Sequence, residues 1–296
     1  MHWATESKPV PLSELGWISC TYLSSTTPAC DPMLVWGTTV DTELLQEFLS
    51  AQRQQANLML TPAHVLIAAV AAELRKHPEF NRRIIGRRVY QYNSVSVVMP
   101  MLHTRSGEVD CVNLRDVDEM SLKEIAATLW SEARNKATAI AANKTQRSAP
   151  FSMLRWMQGF WKKVELAWIH RMSGVGFYVA NRLRTPTIWP WQQELNGAGA
   201  FVNYLGFSGA PPLIAHKPAA LPMNSYSILV TLGASEPTPV VDQDKVVIRQ
   251  RANLFVRFDH RMVNGNQSGM FIDTLRNLIS NPDQLISDHS QNLRAA

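Results

Sequence analysis

Residues 258–265 read Phe-Asp-His-Arg-Met-Val-Asn-Gly and end a strongly apolar run that begins at Ala252. The run predicts a buried strand, and the Asn-Gly pair that follows predicts a turn before a helix. His260 would then stand at the end of a strand, held by a rigid sheet yet able to face a cleft. That position suits a general base that titrates near neutral pH. Taken alone, however, one histidine between a strand and a helix is more often structural than catalytic.

Upstream of this stretch, strand and helix patterns alternate and predict a mixed α/β fold around one core. We expect strands at Leu34–Thr39, Arg88–Tyr92, Ser94–Met99, Asp110–Leu114, Ala200–Leu205, Ser225–Leu232, Val246–Arg249 and Ala252–Phe258. We expect helices from Asp41 onward, at Ala63–Phe80 after the capping pair Thr61-Pro62, at Ser121–Lys136 and at Gly269–Ser280. Since no linker rich in Pro, Gly or Ser divides the chain, one domain over residues 1–296 is predicted.

Residues 144–196 interrupt this pattern and predict an inserted amphipathic helical segment. Residues 144–184 hold eight basic residues and a single acid, a net +7 in a chain whose total is +5, so the rest of the chain is net −2. Five of the nine tryptophans, including Trp156 and Trp161, lie in or just after this segment. Three interpretations remain open: a helix that covers the sheet, a lid over a lipophilic substrate, or a helix that binds the surface of an anionic membrane. Nucleic acid is not expected, because such a helix would have to expose its tryptophans.

Composition excludes several other classes of protein. The chain has 296 residues, 46% of them hydrophobic, which is enough for a sizeable core and too apolar for a disordered chain. Its three cysteines, Cys20, Cys30 and Cys111, form no CxxC pair and indicate neither a disulfide framework nor a zinc site. His64, His77, His103 and His216 lack ligand spacing, so no metal is expected, and Gly197-Ala198-Gly199 lacks the dinucleotide spacing. With no signal-peptide pattern, we expect a cytoplasmic protein, or one peripheral to the inner face of a membrane.

Asp259-His260-Arg261-Met262-Val263-Asn264-Gly265 resembles the D-H-R-x-x-D-G hallmark of the catalytic domain of 2-oxo acid dehydrogenase acyltransferase subunits. That family shares its fold with chloramphenicol acetyltransferase. The similarity extends upstream in order, over about residues 10–137 and 197–290. Its further parts are Leu34–Leu45, Leu60-Thr61-Pro62 with a helix ending in His77-Pro78-x-x-Asn81, Gly199–Gly206 and Leu229–Gly233. The resemblance implies an α/β, chloramphenicol-acetyltransferase-like two-layer sandwich with a mixed sheet.

The resemblance also implies a mechanism. In that family the histidine removes a proton from the acyl acceptor, which then attacks a thioester, while a Ser or Thr on an earlier strand donates to the oxyanion. His260 matches the base. The Ser/Thr position is occupied by Asn203, whose amide can still donate a hydrogen bond, and Tyr204 and Ser208 flank that strand. With the insertion's Trp156 and Trp161, these two are our candidate substrate-binding residues.

The second Asp of the hallmark is replaced here by Asn264. In the family that Asp forms a salt bridge with an arginine near the N-terminus, whereas this sequence has no arginine before Arg53. A buried Asp without a cation would be costly, so we interpret Asn264 as a co-adapted substitution. We assign Asp259, Arg261 and Gly265 to support of the histidine loop.

The resemblance predicts a biosynthetic transferase: a homotrimeric acyltransferase that uses a coenzyme A or acyl-carrier-protein thioester as co-substrate and no tightly bound cofactor. Because no lipoyl-domain sequence precedes the catalytic region in this chain, we expect donor and acceptor to arrive separately. The acceptor would be a hydroxyl, amine or thiol, and one of the two substrates would be lipophilic. The alternatives are a catalytically inactive trimeric scaffold and a condensation or cyclisation enzyme acting on a carrier-bound intermediate. The condensation alternative is disfavoured, because condensation enzymes begin the motif with two histidines, whereas the first position in this chain is Asp259.

Overall fold

The computed structural model describes residues 7–10, 33–56, 59–85, 88–102, 109–145, 198–206 and 227–286. Apart from its first two residues, the predicted insertion at 144–196 lies outside these ranges. Trp156, Trp161 and Ser208 therefore lie outside the described residues, as does most of the basic segment.

A mixed six-stranded sheet organises the described residues. Its strands are β2 (Met33–Asp41), β5 (Val97–Leu102), β6 (Val109–Leu114), β7 (Ala200–Tyr204), β8 (Ile228–Asp242) and β9 (Lys245–Asp259). Their order in the sheet is β2-β9-β8-β7-β5-β6. β7 runs parallel to both of its neighbours, and the other pairings are antiparallel. A small antiparallel sheet consists of β1 (Ser7–Pro9), β3 (Arg82–Ile85) and β4 (Arg88–Tyr92) in the order β1-β4-β3.

Four helices pack against each other and against the large sheet: α1 (Glu43–Ala56), α2 (Pro62–Lys76), α3 (Leu122–Thr145) and α4 (Gly265–Ser280). α2 is the central helix, since it contacts α3, α4 and β7. Its alanine- and leucine-rich sequence lets it lie buried over most of its length. In the same core, Phe80, Phe258 and Phe271 contact one another edge-on or tilted, with centroids 4.7–5.6 Å apart. The mixed α/β class predicted from the pattern is thus confirmed.

Several predicted boundaries were wrong, each for a local reason. The helix predicted over Ala63–Phe80 ends at Lys76, because the proline of His77-Pro78 starts a separate 3₁₀ turn, Pro78–Phe80. The predicted strands Val246–Arg249 and Ala252–Phe258 are one strand, and β8 continues ten residues past the predicted end at Leu232. α4 begins four residues before the predicted Gly269. Helix α3 also extends beyond its predicted end at Lys136.

The far halves of β8 and β9 form a two-stranded ribbon, residues 236–250, that pairs with no other described strand. Its two-residue turn places Gln243 and Asp244 at φ 48° and 64°, as a type I′ hairpin turn requires. Pro239, Val241, Val246 and Ile248 share one face, and the last three of these side chains are 65–76% exposed. An exposed apolar face of this kind is typical of a protein–protein contact.

Candidate active site

His260 lies immediately after β9, half-buried, as the sequence predicts for a strand-terminal histidine. Its Nδ1 is 2.8 Å from the backbone carbonyl oxygen of Val263. A carbonyl only accepts, so Nδ1 carries the proton and donates it to this bond. In the neutral ring the lone pair is then on Nε2, the nitrogen that a general base needs.

Asp259 and Arg261 hold the loop on either side of this histidine. The Asp259 carboxylate is fully buried and accepts from Nε of Arg261 at 2.9 Å and from its NH2 at 2.5 Å. It also accepts from the backbone N–H of Arg261 at 3.1 Å. This bidentate pair with a backbone bond fixes the chain direction across His260.

Asn264 is the N-cap of α4. Its side-chain oxygen accepts from the backbone N–H of Gln267 at 2.9 Å, and Gln267 Oε1 accepts from the backbone N–H of Asn264 at 3.1 Å. This reciprocal capping box was missed from the sequence, although the Asn-x-x-Gln spacing of residues 264–267 signals it. Ser268 Oγ donates to the Asn264 and Gly265 carbonyls, and accepts from Trp36 Nε1 at 3.0 Å. The histidine loop is therefore anchored to the start of a helix and, through Trp36, to β2.

Asn203 lies on β7, but not near His260 of the same chain. Asn203 pairs with Thr231 on β8, and Thr231 pairs with Phe255 on β9. His260 is five residues further along, about 16 Å in the strand direction, because a strand rises about 3.3 Å per residue. One chain therefore holds these two residues far apart along the strands, with Asn203 level with the middle of β2 and His260 beyond its first residue.

The end of β7 is shaped by close contacts. A Cβ on Gly206 would collide with the ring and hydroxyl of Tyr204, so a larger residue there would displace this side chain. Burial raises the pKa of Tyr204. At the other end, a Cβ on Gly199 would strike the side-chain oxygen of Asn81, whose Nδ2 donates to the Ser94 carbonyl at 2.9 Å. The Asn of the His-Pro-x-x-Asn turn thus packs closely against the residue that precedes β7.

Within the described ranges, no group of three or more His, Cys, Asp or Glu side chains is arranged to hold a metal ion. Among the helices in those same ranges, none is both long and apolar enough to cross a bilayer.

The sequence of residues 193–287 matches the family described as 2-oxoacid dehydrogenases acyltransferase (catalytic domain). The matched range includes both Asn203 and His260. A stretch of 97 residues is 31% identical to the lipoamide acyltransferase component of the branched-chain alpha-keto acid dehydrogenase complex of Pseudomonas aeruginosa. That alignment covers 32% of this chain and 21% of the relative, so the matched part spans about a fifth of that protein.

The fold is shared with solved structures of low sequence identity. Dihydrolipoamide acetyltransferase of Azotobacter vinelandii superposes with a TM-score of 0.56 over 94% of this chain and 93% of that one, at 17% identity. The cubic core of a pyruvate dehydrogenase multienzyme complex gives the same values. A chloramphenicol acetyltransferase gives 0.52 over 92% and 99%, at 12% identity. The predicted fold is thus confirmed: residues 193–287 match the acyltransferase catalytic-domain family in sequence, and the chain folds like dihydrolipoamide and chloramphenicol acetyltransferases.

Proposed function

We propose that this protein is an acyltransferase that moves an acyl group from a coenzyme A or acyl-carrier-protein thioester to a hydroxyl, amine or thiol, with His260 as general base. The observation that carries the proposal is the Nδ1–Val263 hydrogen bond, which leaves the basic lone pair on Nε2. The match of residues 193–287 to an acyltransferase family supplies the reaction class.

In the proposed reaction, Nε2 of His260 removes the proton from the acceptor as its oxygen, nitrogen or sulfur attacks the thioester carbonyl. The side-chain amide of Asn203 donates to the oxyanion that develops. When the tetrahedral intermediate collapses, the carbon–sulfur bond breaks and the thiolate leaves. The imidazolium then returns its proton to that thiolate, so the enzyme ends in its starting state.

The proposed site is built between subunits of a homotrimer. Since one chain holds His260 and Asn203 about 16 Å apart along its strands, a single site needs the two from different copies. The apolar ribbon, residues 236–250, extends from the end of the sheet that carries Asn203 and offers a surface for a neighbouring copy. One solved structure with this fold is the cubic core of a multienzyme complex, which is consistent with an assembly of copies.

The asparagine at position 264 is compatible with an active enzyme. In the Azotobacter vinelandii enzyme, the residues investigated for their role in catalysis are a serine, a histidine and an asparagine four positions after that histidine. His260 and Asn264 have the same spacing. The asparagine of this chain therefore gives no reason to favour the inactive-scaffold alternative. Selection of a lipophilic substrate by Trp156 and Trp161 stays a prediction.

The test is release of free coenzyme A from acetyl-, octanoyl- and palmitoyl-CoA, each with dihydrolipoamide, an aliphatic alcohol or an amine as acceptor. We expect His260→Ala to lower the rate of coenzyme A release, with the best donor and acceptor, by about 10²–10⁴-fold, which is the usual contribution of a positioned general base. His77→Ala, which removes a half-exposed histidine beyond α2, is the matched control and should keep the wild-type rate. Equal rates for His260→Ala and wild type would remove His260 from the mechanism.

A further inference from the structure

One peptide group connects the histidine ring to the first turn of helix α4. The carbonyl oxygen of Val263 accepts the Nδ1 proton of His260 at 2.8 Å, and the N–H of that same peptide group belongs to Asn264. This N–H donates to Oε1 of Gln267 at 3.1 Å. His260 and Gln267 therefore form hydrogen bonds to opposite sides of one peptide group.

The geometry of this peptide group couples its two hydrogen bonds. The peptide is trans, so its N–H and C=O lie in one plane and point in opposite directions. The Gln267 side chain sets the direction of the N–H, and with it the direction of the carbonyl that receives the His260 proton. Linked hydrogen bonds also polarise one another, so the bond to Gln267 makes this carbonyl a better acceptor.

The loop before this peptide group is held by its own contacts. The carbonyl of Asp259 accepts from the backbone N–H of Met262 at 2.9 Å and closes a four-residue turn. Met262 and Val263 are 4% and 1% exposed, so the end of the turn is fixed in the core. The peptide between Val263 and Asn264 follows that turn, and its bonds to His260 and Gln267 fix its orientation.

We propose that Gln267 is a positioning residue for His260. Acting through the Val263 carbonyl, it keeps the ring in the tautomer that has the proton on Nδ1 and the lone pair on Nε2. The consequence for the rate rests on the proposed function, since acyl transfer is the reaction that would use Nε2. The tautomer itself depends on no reaction. A residue that only capped the helix would leave the histidine ring unchanged.

Three variants of the full chain separate positioning from capping. Gln267→Met has nearly the same length without an acceptor, and Gln267→Ala removes the acceptor with a better helix former. Gln267→Glu keeps an acceptor oxygen and is favourable in a capping box. The matched control is Asn266→Met, the same exchange of an amide for a thioether one residue earlier. Asn266 is exposed, and its amide donates to Sδ of Met270 at 3.9 Å.

The first readout is the tautomer of His260, from the nitrogen-15 chemical shifts of the ring at about pH 8.5, where an imidazole is neutral. The spectrum of His260→Ala identifies the signals of this ring among those of the eight histidines. We expect the Nδ1–H form in the wild type, in Gln267→Glu and in Asn266→Met. Gln267→Met and Gln267→Ala should show a mixture with the Nε2–H form.

The second readout is the rate of coenzyme A release with the best donor and acceptor. Gln267→Met and Gln267→Ala should lower kcat about tenfold with little change in KM, because they misplace the base without touching the substrate. Gln267→Glu and Asn266→Met should stay within about twofold of the wild-type kcat.

An unchanged His260 tautomer in Gln267→Met and Gln267→Ala would overturn the proposal, as would a loss of kcat in Gln267→Glu equal to that in Gln267→Met. The proposed function fails separately, if the wild type releases no coenzyme A with any donor and acceptor. The tautomer measurement then still decides whether Gln267 positions the ring.

Discussion

At the residue scale, the loop that carries His260, the candidate base, is held by the buried, charged side chain of Asp259. The Asp259 carboxylate has no exposed surface, and the Arg261 guanidinium beside it is one-fifth exposed. Removing one member of such a pair leaves the other charge buried and uncompensated. The resulting loss of folding free energy exceeds what the intact pair contributes.

We therefore expect Arg261→Ala to lower the free energy of unfolding by about 3 kcal/mol, because it leaves the Asp259 carboxylate buried with only one backbone donor. The double variant Asp259→Asn/Arg261→Ala removes the buried charge as well and should recover part of that loss. Urea unfolding of the wild type, both single variants and the double variant measures the coupling. A loss below about 0.5 kcal/mol for Arg261→Ala would show that the ion pair does not hold this loop.

A second residue-scale prediction concerns His64, in the first turn of α2. Its Nδ1 accepts the backbone N–H of Thr61 at 2.9 Å, and the ring is 2% exposed. Burial lowers the pKa of His64 from 6.5 to about 4. Below pH 6.5 the unfolded chain binds this proton and the folded chain does not, so stability is lost as the pH falls from 6.5 toward 4.

Glutamine at this position keeps the capping acceptor and does not titrate. Between pH 7 and pH 4.5, His64→Gln should therefore lose about 2–3 kcal/mol less stability than the wild type. Urea midpoints at the two pH values provide the measurement. Parallel losses in the two proteins would mean that His64 takes up its proton in the folded state.

At the scale of elements, helix α4 connects the histidine loop to the rest of the molecule through its first turn. Asn264→Ala removes the side-chain cap and should lower the free energy of unfolding by about 1 kcal/mol. Asn264 is only half-buried in the structure, so an aspartate there would not be the buried, uncompensated charge that we expected from the sequence. Asn264→Asp keeps an acceptor oxygen at a helix N-terminus, where negative charge is favourable, and should be at least as stable as the wild type. Thermal and urea unfolding of both variants separate the cap from the charge. If Asn264→Asp is as destabilised as Asn264→Ala, the side-chain amide nitrogen of Asn264, and not its capping oxygen, provides the stabilisation.

The capping box also shows what could be predicted from the sequence. The strand–turn–helix order around His260 follows from the apolar run and the Asn-Gly pair, and the structure confirms it. The start of α4 was placed too late because Gly265, Asn266 and Gly269 are poor helix formers. The capping box and packing of Phe271 and Leu275 override that preference.

The length of β8 was predicted poorly for a similar reason. Pro237 and Pro239 indicate a strand end, yet both lie on the ribbon, where an unpaired outer edge tolerates a missing N–H. Likewise, Gln250 and Arg251 interrupt an apolar pattern without interrupting β9, because both residues continue the pairing with β8. Arg251 also forms an ion pair with Asp41 on the adjacent strand at 2.6 Å. These features depend on cross-strand partners that a local pattern does not contain.

At the scale of the whole molecule, the sheet register decides how many chains a site requires. The strand β7 runs antiparallel to β9. Its end that carries Asn203 therefore lies toward the start of β9, whereas His260 follows the end of β9. No change of rotamer closes a gap of about 16 Å along the strands. If both residues act on one thioester, they come from different copies.

Subunit complementation tests this arrangement directly. His260→Ala and Asn203→Ala, each assayed alone, should be nearly inactive, the second by about 10²–10³-fold because it removes an oxyanion donor. When the two variants are unfolded, mixed in equal amounts and refolded, a trimer with shared sites should regain about a quarter of the wild-type activity, since one interface in four combines both intact residues. Adding Val246→Asp and Ile248→Asp to both chains places charge on the apolar face of the ribbon and should abolish the recovery together with the trimer. Activity no higher than the mean of the separate variants, in a trimer that still forms, would show that His260 and Asn203 do not share a site.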